Sequence, residues 1–204
     1  MNRLWHKTGQ APLDQLIEQY TVGDDPQNDL ILFPYDLAAS RAHALMLRHI
    51  GILSVDECDQ LVQGLAELQS HWEAGEIEIR PADEDGHTVI ENYLVAHYGD
   101  AGKKIHTGRS RNDQSLVALR LYLKEQSEAI GVQARELARA FLDKAEATEH
   151  IPLPGYSHTQ QAMLSSVGHW CCSFAESLLD DADLLDSVTQ QLDQNPLGSA
   201  AGFG

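Results

Sequence analysis

The longest stretch without a helix breaker does most to limit the fold of this 204-residue chain. It runs from Asp113 to about His150, contains no proline, and places apolar residues seven positions apart at Leu116, Leu123, Ile130 and Leu137. A seven-residue repeat over several turns predicts a long helix packed against nearly parallel partners, as in a helical bundle. We therefore expect an all-α fold.

A second long helix is predicted from about Gln161 to Asp193. Its apolar side consists of Trp170, Phe174, Leu178, Leu185 and Leu192. The two prolines and the glycine within residues 151–155 separate it from the first long helix, because proline cannot continue a helix. Two such helices cannot complete a bundle alone, so we expect a bundle that is incomplete at the C-terminus.

Shorter helices are predicted before this bundle. Residues 36–50 and 85–98 show helical spacing of apolar residues, and Ser54 with Glu57 forms a capping-box pattern that begins another helix ending near Gly75. Residues 1–34 are broken by glycine and proline and predict an extended arm with one short helix near Leu13 to Tyr20.

These patterns divide the chain into two predicted domains. Residues 1–112 form a small N-terminal helical domain, and residues 113–204 form the first part of the central bundle.

The charge balance limits the partners. The chain has 31 Asp and Glu residues against 14 Lys and Arg residues, a formal net charge of −17. Nucleic acids and anionic membranes both require a basic surface, so neither is an expected partner. No segment is apolar enough to span a bilayer, and the three cysteines form no disulfide or zinc pattern. We expect a cytoplasmic protein.

One short segment stands out against this acidic background. Four of the 14 Lys and Arg residues fall within residues 103–111, directly before the long helix. Basic side chains beside hydroxyl and amide groups are suited to hold a carboxylate. Ser110, Arg111 and Asn112 are therefore candidates for binding a small carboxylate-bearing molecule, and a solvated turn that balances nearby carboxylates is the alternative.

Two histidines are candidates for proton transfer near neutral pH. His87 begins a predicted helix, and His158 follows a Pro-Gly corner next to Ser157, which could orient a ligand. Histidines at helix starts are often simple surface or capping residues, so this alternative stays open. No GxSxG motif, Ser/His/Asp arrangement, metal-ligand spacing or glycine-rich nucleotide loop is evident, and no cofactor is expected.

Four segments resemble the motifs of one family in the same order. Residues 102–114 read GKKIHTGRSRNDQ and closely resemble the signature loop of the argininosuccinate lyases, which belong to the aspartase/fumarase superfamily. Residues 84–87 (EDGH), 154–160 (PGYSHTQ) and 195–199 (NPLGS) resemble three further motifs of that family. The resemblance spans nearly the whole chain.

This resemblance implies a fold, an assembly and a reaction. The family is all-helical, with a small N-terminal domain and a long central bundle that assembles into a homotetramer whose active sites are shared among three subunits. Its reaction is elimination of fumarate from argininosuccinate, which leaves arginine. A base removes a proton next to a carboxylate, the carbanion is held as an aci-carboxylate, and the C–N bond then breaks.

The resemblance also implies residue roles. His158 matches the acid/base histidine, and Ser157 stands where the family has a substrate-binding threonine. Ser110, Arg111 and Asn112 match the substrate-binding part of the signature loop. His87 matches a histidine near the site.

Two alternatives remain open. Asp24 and Asp25 stand near the place where the family usually has a substrate-contacting serine, so the substrate could be another N-substituted aspartate. The family's mobile serine loop does not occur in these 204 residues, so the chain could instead be an inactive scaffold of the same fold. The 204-residue chain alone is expected to be inactive for the same reason.

Overall fold

The computed structural model describes Ile17, Tyr20, residues 22–80, Asp83 and residues 85–196. The elements follow the order α1 (Asp25–His49), α2 (Val55–Glu73), α3 (Gly86–Tyr98), α4 (Asp100–Lys103), α5 (Arg111–Thr148), β1 (Pro152–Ser157), β2 (Gln160–Ser166) and α6 (Val167–Leu192). The expected all-α class is confirmed, with one small hairpin added.

Local capping signals place the starts of α2 and α3 as expected. The Ser54 hydroxyl accepts a hydrogen bond from the Glu57 amide at 3.1 Å, and the Ser54 amide donates to Glu57 Oε2 at 2.9 Å. This is the capping box that the sequence predicts. The Asp85 carboxylate caps α3 by accepting from the Thr88 amide at 2.7 Å.

The predicted extended arm is wrong between residues 25 and 34. Helix α1 begins at Asp25 and runs through Pro34 to His49. Pro26 lies in the first turn, where its missing N–H costs nothing, and the side chains of Phe33 and Leu37 are buried on either side of Pro34. The predicted short helix near Leu13 to Tyr20 lies mostly outside the described residues, although Ile17 and Tyr20 are helical.

The described residues fall into two compact units. One comprises the residues up to Tyr122 with Asn195 and Pro196, and the other is Leu123–Gln194. The core of the first unit is built by α1, α2 and α3. Its most deeply buried large side chains include Phe33, Leu47, Leu61, Leu68 and Leu94. The predicted domain boundary after residue 112 stays a prediction.

The second unit pairs α6 in antiparallel fashion with the part of α5 that follows Tyr122. Lys124 Nζ donates to Asp193 Oδ1 at 3.0 Å near one end, and Phe141 stacks on Phe174 towards the other. The buried positions of the two helices include small residues spaced by seven, which are Gly131, Ala138 and Ala145 on α5 and Gly168, Ala175 and Ala182 on α6. Small residues allow two helices to approach closely.

The apolar repeat that predicted the bundle is not the buried one. Leu116, Leu123, Ile130 and Leu137 are 47%, 37%, 52% and 50% exposed. On α6, Trp170 and Phe174 are exposed as well, at 54% and 41%. Helix α5 therefore carries two seven-residue repeats that are offset by one position. The small-residue repeat is buried, and the leucine and isoleucine repeat is exposed.

The predicted start of the second long helix at Gln161 is wrong. Residues 160–166 form β2, which pairs antiparallel with β1, and α6 begins at Val167 with Ser166 as its N-cap. Pro152 and Pro154 favour extended backbone in β1. Gly155 lies at a register irregularity, where an added Cβ would come within 2.8 Å of the Met163 carbonyl oxygen.

Candidate functional site

His87 and Asp36 form a buried ion pair in the first unit. His87 Nδ1 is 2.5 Å from Asp36 Oδ2, and the two residues are only 7% and 3% exposed. Helix α3 supplies His87 in its first turn, and the middle of α1 supplies Asp36. An ionised carboxylate can only accept, so Nδ1 carries the proton of this hydrogen bond.

The surroundings of His87 favour its charged form. Burial by itself lowers the pKa of His87, but the hydrogen bond and charge of Asp36, with the charges of Asp85 and Asp29, outweigh it and raise the pKa above 6.5. Burial raises the pKa of the Asp29 carboxyl, which accepts a 2.8 Å hydrogen bond from the Gly86 amide. The pair can therefore hold a proton at a position shielded from water.

This shift predicts a pH-dependent stability. A histidine whose folded pKa is raised contributes stability that is fully present below its ordinary value of 6.5 and is lost as pH rises through the folded pKa. We expect the free energy of unfolding to decrease over that window and this component to vanish in His87→Gln. Urea titrations across the pH range measure it. The control His150→Gln, at a side chain 92% exposed, should leave it in place.

The same face of α1 anchors the basic loop. Ser40 donates to Asp36 Oδ1 at 3.4 Å, and Arg109 donates through Nη1 to Ser40 Oγ at 3.3 Å and through Nη2 to the Ile105 carbonyl at 3.0 Å. His43 Nε2 lies 2.9 Å from the Thr107 carbonyl and donates to it. Burial and the charge of Arg109 lower the pKa of His43, so its neutral form is favoured.

Ser110 and Arg111 are engaged with neighbouring side chains. The Ser110 amide and hydroxyl donate to Asp113 Oδ2 at 2.7 and 2.9 Å, a reciprocal cap at the start of α5. Arg111 forms an ion pair with Asp85 and donates to Thr88 Oγ1 at 2.9 Å. Ligand binding by these two groups would therefore exchange internal partners for ligand oxygens.

Asn112 is exposed, as is Ser110, whereas Arg111 is only partly exposed. Asn112 lies in the first turn of α5, between Arg111 and the buried Asp113. The two lysines of the loop are held on the protein, since Lys103 donates to Asp100 at 2.8 Å and Lys104 to Glu57 at 2.5 Å. Three of the four basic residues, Lys103, Lys104 and Arg111, thus have acidic partners.

The second unit presents His158 and Ser157 at the tip of the β-hairpin. His158 and Thr159 form the turn with φ values of +53° and +64°, which non-glycine residues rarely adopt. Ser157 Oγ and His158 Nδ1 are hydrogen-bonded at 2.8 Å, and both residues are exposed. Uncommon backbone conformations of this kind cluster at functional sites.

The site candidates therefore form two groups. His87, Ser110, Arg111 and Asn112 lie in the first unit, where Arg111 is linked to the His87 helix through Asp85 and Thr88. Ser157 and His158 lie in the second unit. Glu84 of the EDGH motif lies outside the described residues.

Asp36 and Ser115 are the residues of this site that the sequence candidates omitted. Asp36, Ser40 and His43 follow helical spacing on a face that is otherwise apolar, and this spacing could have shown a buried polar cluster. Ser115 Oγ lies 3.2 Å from His87 Nε2. The expectation of no Ser/His/Asp arrangement is therefore wrong, because α1, α3 and α5 bring one together.

The part of the chain that the structure describes lacks both a metal-binding cluster and a membrane-spanning helix. No group of three or more histidine, cysteine, aspartate or glutamate residues is arranged there to hold a metal ion. No helix in that part is both long and apolar enough to cross a membrane.

Comparison with protein families gives one match. A family model described as "Lyase" matches residues 9–204. The argininosuccinate lyase of Sorangium cellulosum is 49% identical over 202 residues, which are 99% of this chain and 46% of that protein. The argininosuccinate lyase of Xanthomonas euvesicatoria is 45% identical over 203 residues, or 47% of its length. The chain thus spans about half the length of the curated relatives it matches.

Solved structures agree with the helical fold. An EDDS lyase variant with bound fumarate superposes with a TM-score of 0.75 and 26% identity over 96% of this chain and 38% of its own. A fumarate lyase:delta crystallin from Brucella melitensis gives a TM-score of 0.73 over 90% of this chain and 47% of its own. At 18% identity, the second match supports the fold alone.

Proposed function

We propose that this chain, which belongs to the lyase family, carries part of the active site of an enzyme that eliminates fumarate from argininosuccinate and leaves arginine. The observation that carries the proposal is the 49% identity with the Sorangium cellulosum argininosuccinate lyase over 99% of the chain. The intact order of the four motifs supports it.

In this proposal His158 is the acid/base group. A histidine side chain can take a proton from the carbon next to a carboxylate near neutral pH. The electrons then move into that carboxylate as an aci-carboxylate, and they return to form the double bond of fumarate as the C–N bond to the guanidinium breaks. The exposed hairpin position of His158 and its hydrogen bond to Ser157 favour such a role.

The remaining candidates bind the substrate in this proposal. Arg111 and Asn112 would hold a carboxylate whose negative charge grows in the transition state, which is where binding accelerates a reaction most. Ser110, Ser157 and His87 would orient the rest of the ligand. The exposure of Asn112 and the partial exposure of Arg111 support this assignment.

A chimera tests the function. Residues 1–204 of this chain would replace the matching 46% of the Sorangium cellulosum argininosuccinate lyase. We expect the chimera to release fumarate from argininosuccinate, detected by its ultraviolet absorbance, and the 204-residue chain alone to release none. A folded chimera without activity, or an active isolated chain, would contradict the proposal.

A second candidate substrate is another N-substituted aspartate. Asp24 and Asp25 are exposed at the start of α1, and a carboxylate there would repel a dicarboxylate ligand if it faced the site. The similar EDDS lyase variant has fumarate bound, and fumarate is the product that both candidate substrates would release. Fumarate release from a panel of N-substituted aspartates separates the two candidates, since the better substrate has the higher kcat/KM.

We also propose that the chain assembles with copies of itself, as a tetramer by family resemblance. The exposed leucine and isoleucine repeat on α5 supports this, because contiguous apolar surface marks an interface. Changing Leu123, Ile130 and Leu137 together to serine should lower the mass of the chimera by light scattering. The control Glu128→Ser with Glu136→Ser, at exposed polar positions of α5, should leave the mass unchanged.

The compartment that fits this function is the cytoplasm. All three cysteines are free thiols in the structure, with Cys58 and Cys171 buried and Cys172 exposed. Free thiols persist in a reducing compartment.

A further inference from the structure

Three side chains of the first unit are hydrogen-bonded in series. Asp36 Oδ2 contacts His87 Nδ1 at 2.5 Å, and His87 Nε2 contacts Ser115 Oγ at 3.2 Å. Both distances lie within hydrogen-bond reach of a nucleophile, a base and the group that orients the base. Nothing in the elimination chemistry proposed above requires Ser115.

The burial of the three groups follows the order that nucleophilic catalysis needs. Asp36 and His87 are buried, whereas Ser115 is exposed near the start of α5. The second oxygen of Asp36 is fixed as well, because Ser40 donates to Oδ1 at 3.4 Å. The carboxylate is thus held in place, the imidazole is shielded, and the hydroxyl is open to a reagent.

The hydrogen-bond chemistry fixes the roles of the two ring nitrogens. The Asp36 carboxylate can only accept, so Nδ1 of His87 donates to it. In the neutral imidazole Nε2 is then the acceptor, and Ser115 donates its hydroxyl hydrogen to Nε2. This is the tautomer in which a histidine removes the proton of a serine hydroxyl.

We propose that Ser115 is a nucleophile activated by His87 and Asp36, and that it accepts small acyl groups from activated esters. Ser115 Oγ forms a bond to the acyl carbon, and the bond from that carbon to the leaving oxygen breaks. The Ser115 proton moves to His87 Nε2. His87 then releases that proton to solvent, water adds its hydroxyl to the acyl carbon and its hydrogen to Ser115 Oγ, and the carboxylic acid leaves.

A small pocket beside the three groups sets the size of the acyl group. Its volume is about 20 Å³, and its lining includes Leu32, Phe33 and Ala118 together with His87 and Ser115. About 10–15 Å³ holds one water molecule, so the pocket holds little more than a water or a methyl group and has no room for a long acyl chain. An acetyl ester should therefore react faster than a hexanoyl ester.

The test uses p-nitrophenyl acetate and the 204-residue chain. p-Nitrophenolate leaves without being protonated, and its absorbance gives the rate while peptide mass spectrometry locates the acetyl group. We expect acetyl-Ser115, and a loss of at least about 100-fold in its formation in His87→Gln. The variant Ser115→Ala should lose the acetylated peptide at position 115. Because Ser115 is exposed, this variant should keep the circular dichroism spectrum of the unaltered chain.

Two other serines are internal controls. Ser157 and Ser165 are hydrogen-bonded to His158 Nδ1 and His169 Nδ1, each at 2.8 Å. Neither imidazole has a carboxylate partner among the described residues, so acetylation of both serines should be at least about 100-fold slower than that of Ser115.

Several results would overturn the proposal. These are acetylation confined to lysines or to the control serines, and acetylation of Ser115 that persists in His87→Gln.

The pH profile provides a test that does not depend on variants folding. Asp36, Asp85 and Asp29 face His87, and acetylation of Ser115 should rise with pH and level off once His87 is neutral. A rate that rises tenfold per pH unit throughout would show hydroxide chemistry instead.

Discussion

Replacing His158 with alanine is expected to lower fumarate production by the chimera at least about 100-fold, the usual size of a lost general acid or base. The effect should appear in kcat more than in KM, because the imidazole acts on the transition state rather than on bound substrate. Initial rates measured by fumarate absorbance over a range of argininosuccinate concentrations separate the two constants.

The matched control for this variant is His150→Ala. His150 is also a histidine of the second unit, but its side chain is 92% exposed and forms a 3.0 Å ion pair with the adjacent Glu149. Its replacement should leave kcat and KM unchanged. If His158→Ala retained near-normal turnover in a folded chimera, His158 would be removed from the mechanism while the family membership would stand.

The turn that carries His158 has its own backbone requirement. A hairpin turn with two residues at positive φ usually contains glycine or asparagine, but here His158 and Thr159 adopt it. The turn residues therefore gave no local signal for a hairpin, and helical spacing in the following residues predicted a helix. Strand pairing decided the structure, and the prediction failed because pairing is not a property of one segment.

The seam between α5 and α6 shows a second limit of prediction. Periodicity correctly predicted two long helices and the break between them, because proline and capping are local effects. It did not predict which face would be buried, since the leucine repeat and the small-residue repeat have the same period. In the structure Ala138 is buried, whereas its neighbour Leu137 is half-exposed.

The candidate site was partly predictable for a related reason. His87, Arg111 and His158 stand in short motifs, so their chemistry is visible in consecutive letters, and the family membership predicted from them is confirmed by the match over residues 9–204. Asp36 lies 51 residues before His87 in the sequence, and Ser115 lies 28 residues after it. Contacts of this range depend on the packed core of α1, α2 and α3.

Replacing Asp36 with alanine is expected to lower the free energy of unfolding of the first unit by about 3–5 kcal/mol, because it leaves a buried charge without its partner. The loss should be largest where His87 is protonated and should shrink as pH rises through its folded pKa, which Asp36 raises in the intact protein. A loss that was independent of pH would instead indicate a simple packing defect.

Urea titration followed by the fluorescence of Trp72 measures this loss within the first unit. Trp72 donates from its indole nitrogen to the Leu30 carbonyl at 3.0 Å, so it reports on the packing of α2 against α1. Trp5 and Trp170 would be changed to phenylalanine in every variant. The exposed control Asp59→Ala should change stability by no more than about 0.5 kcal/mol.

Asp36→Asn separates shape from charge in the same experiment. Asparagine keeps the volume and an oxygen that can accept from His87 Nδ1, but it removes the negative charge that favours the imidazolium. We expect an intermediate loss below pH 6.5 and little loss once His87 is neutral. Equal losses for the alanine and asparagine variants at every pH would mean that volume or hydrogen bonding, and not charge, couples α1 to α3 at this position.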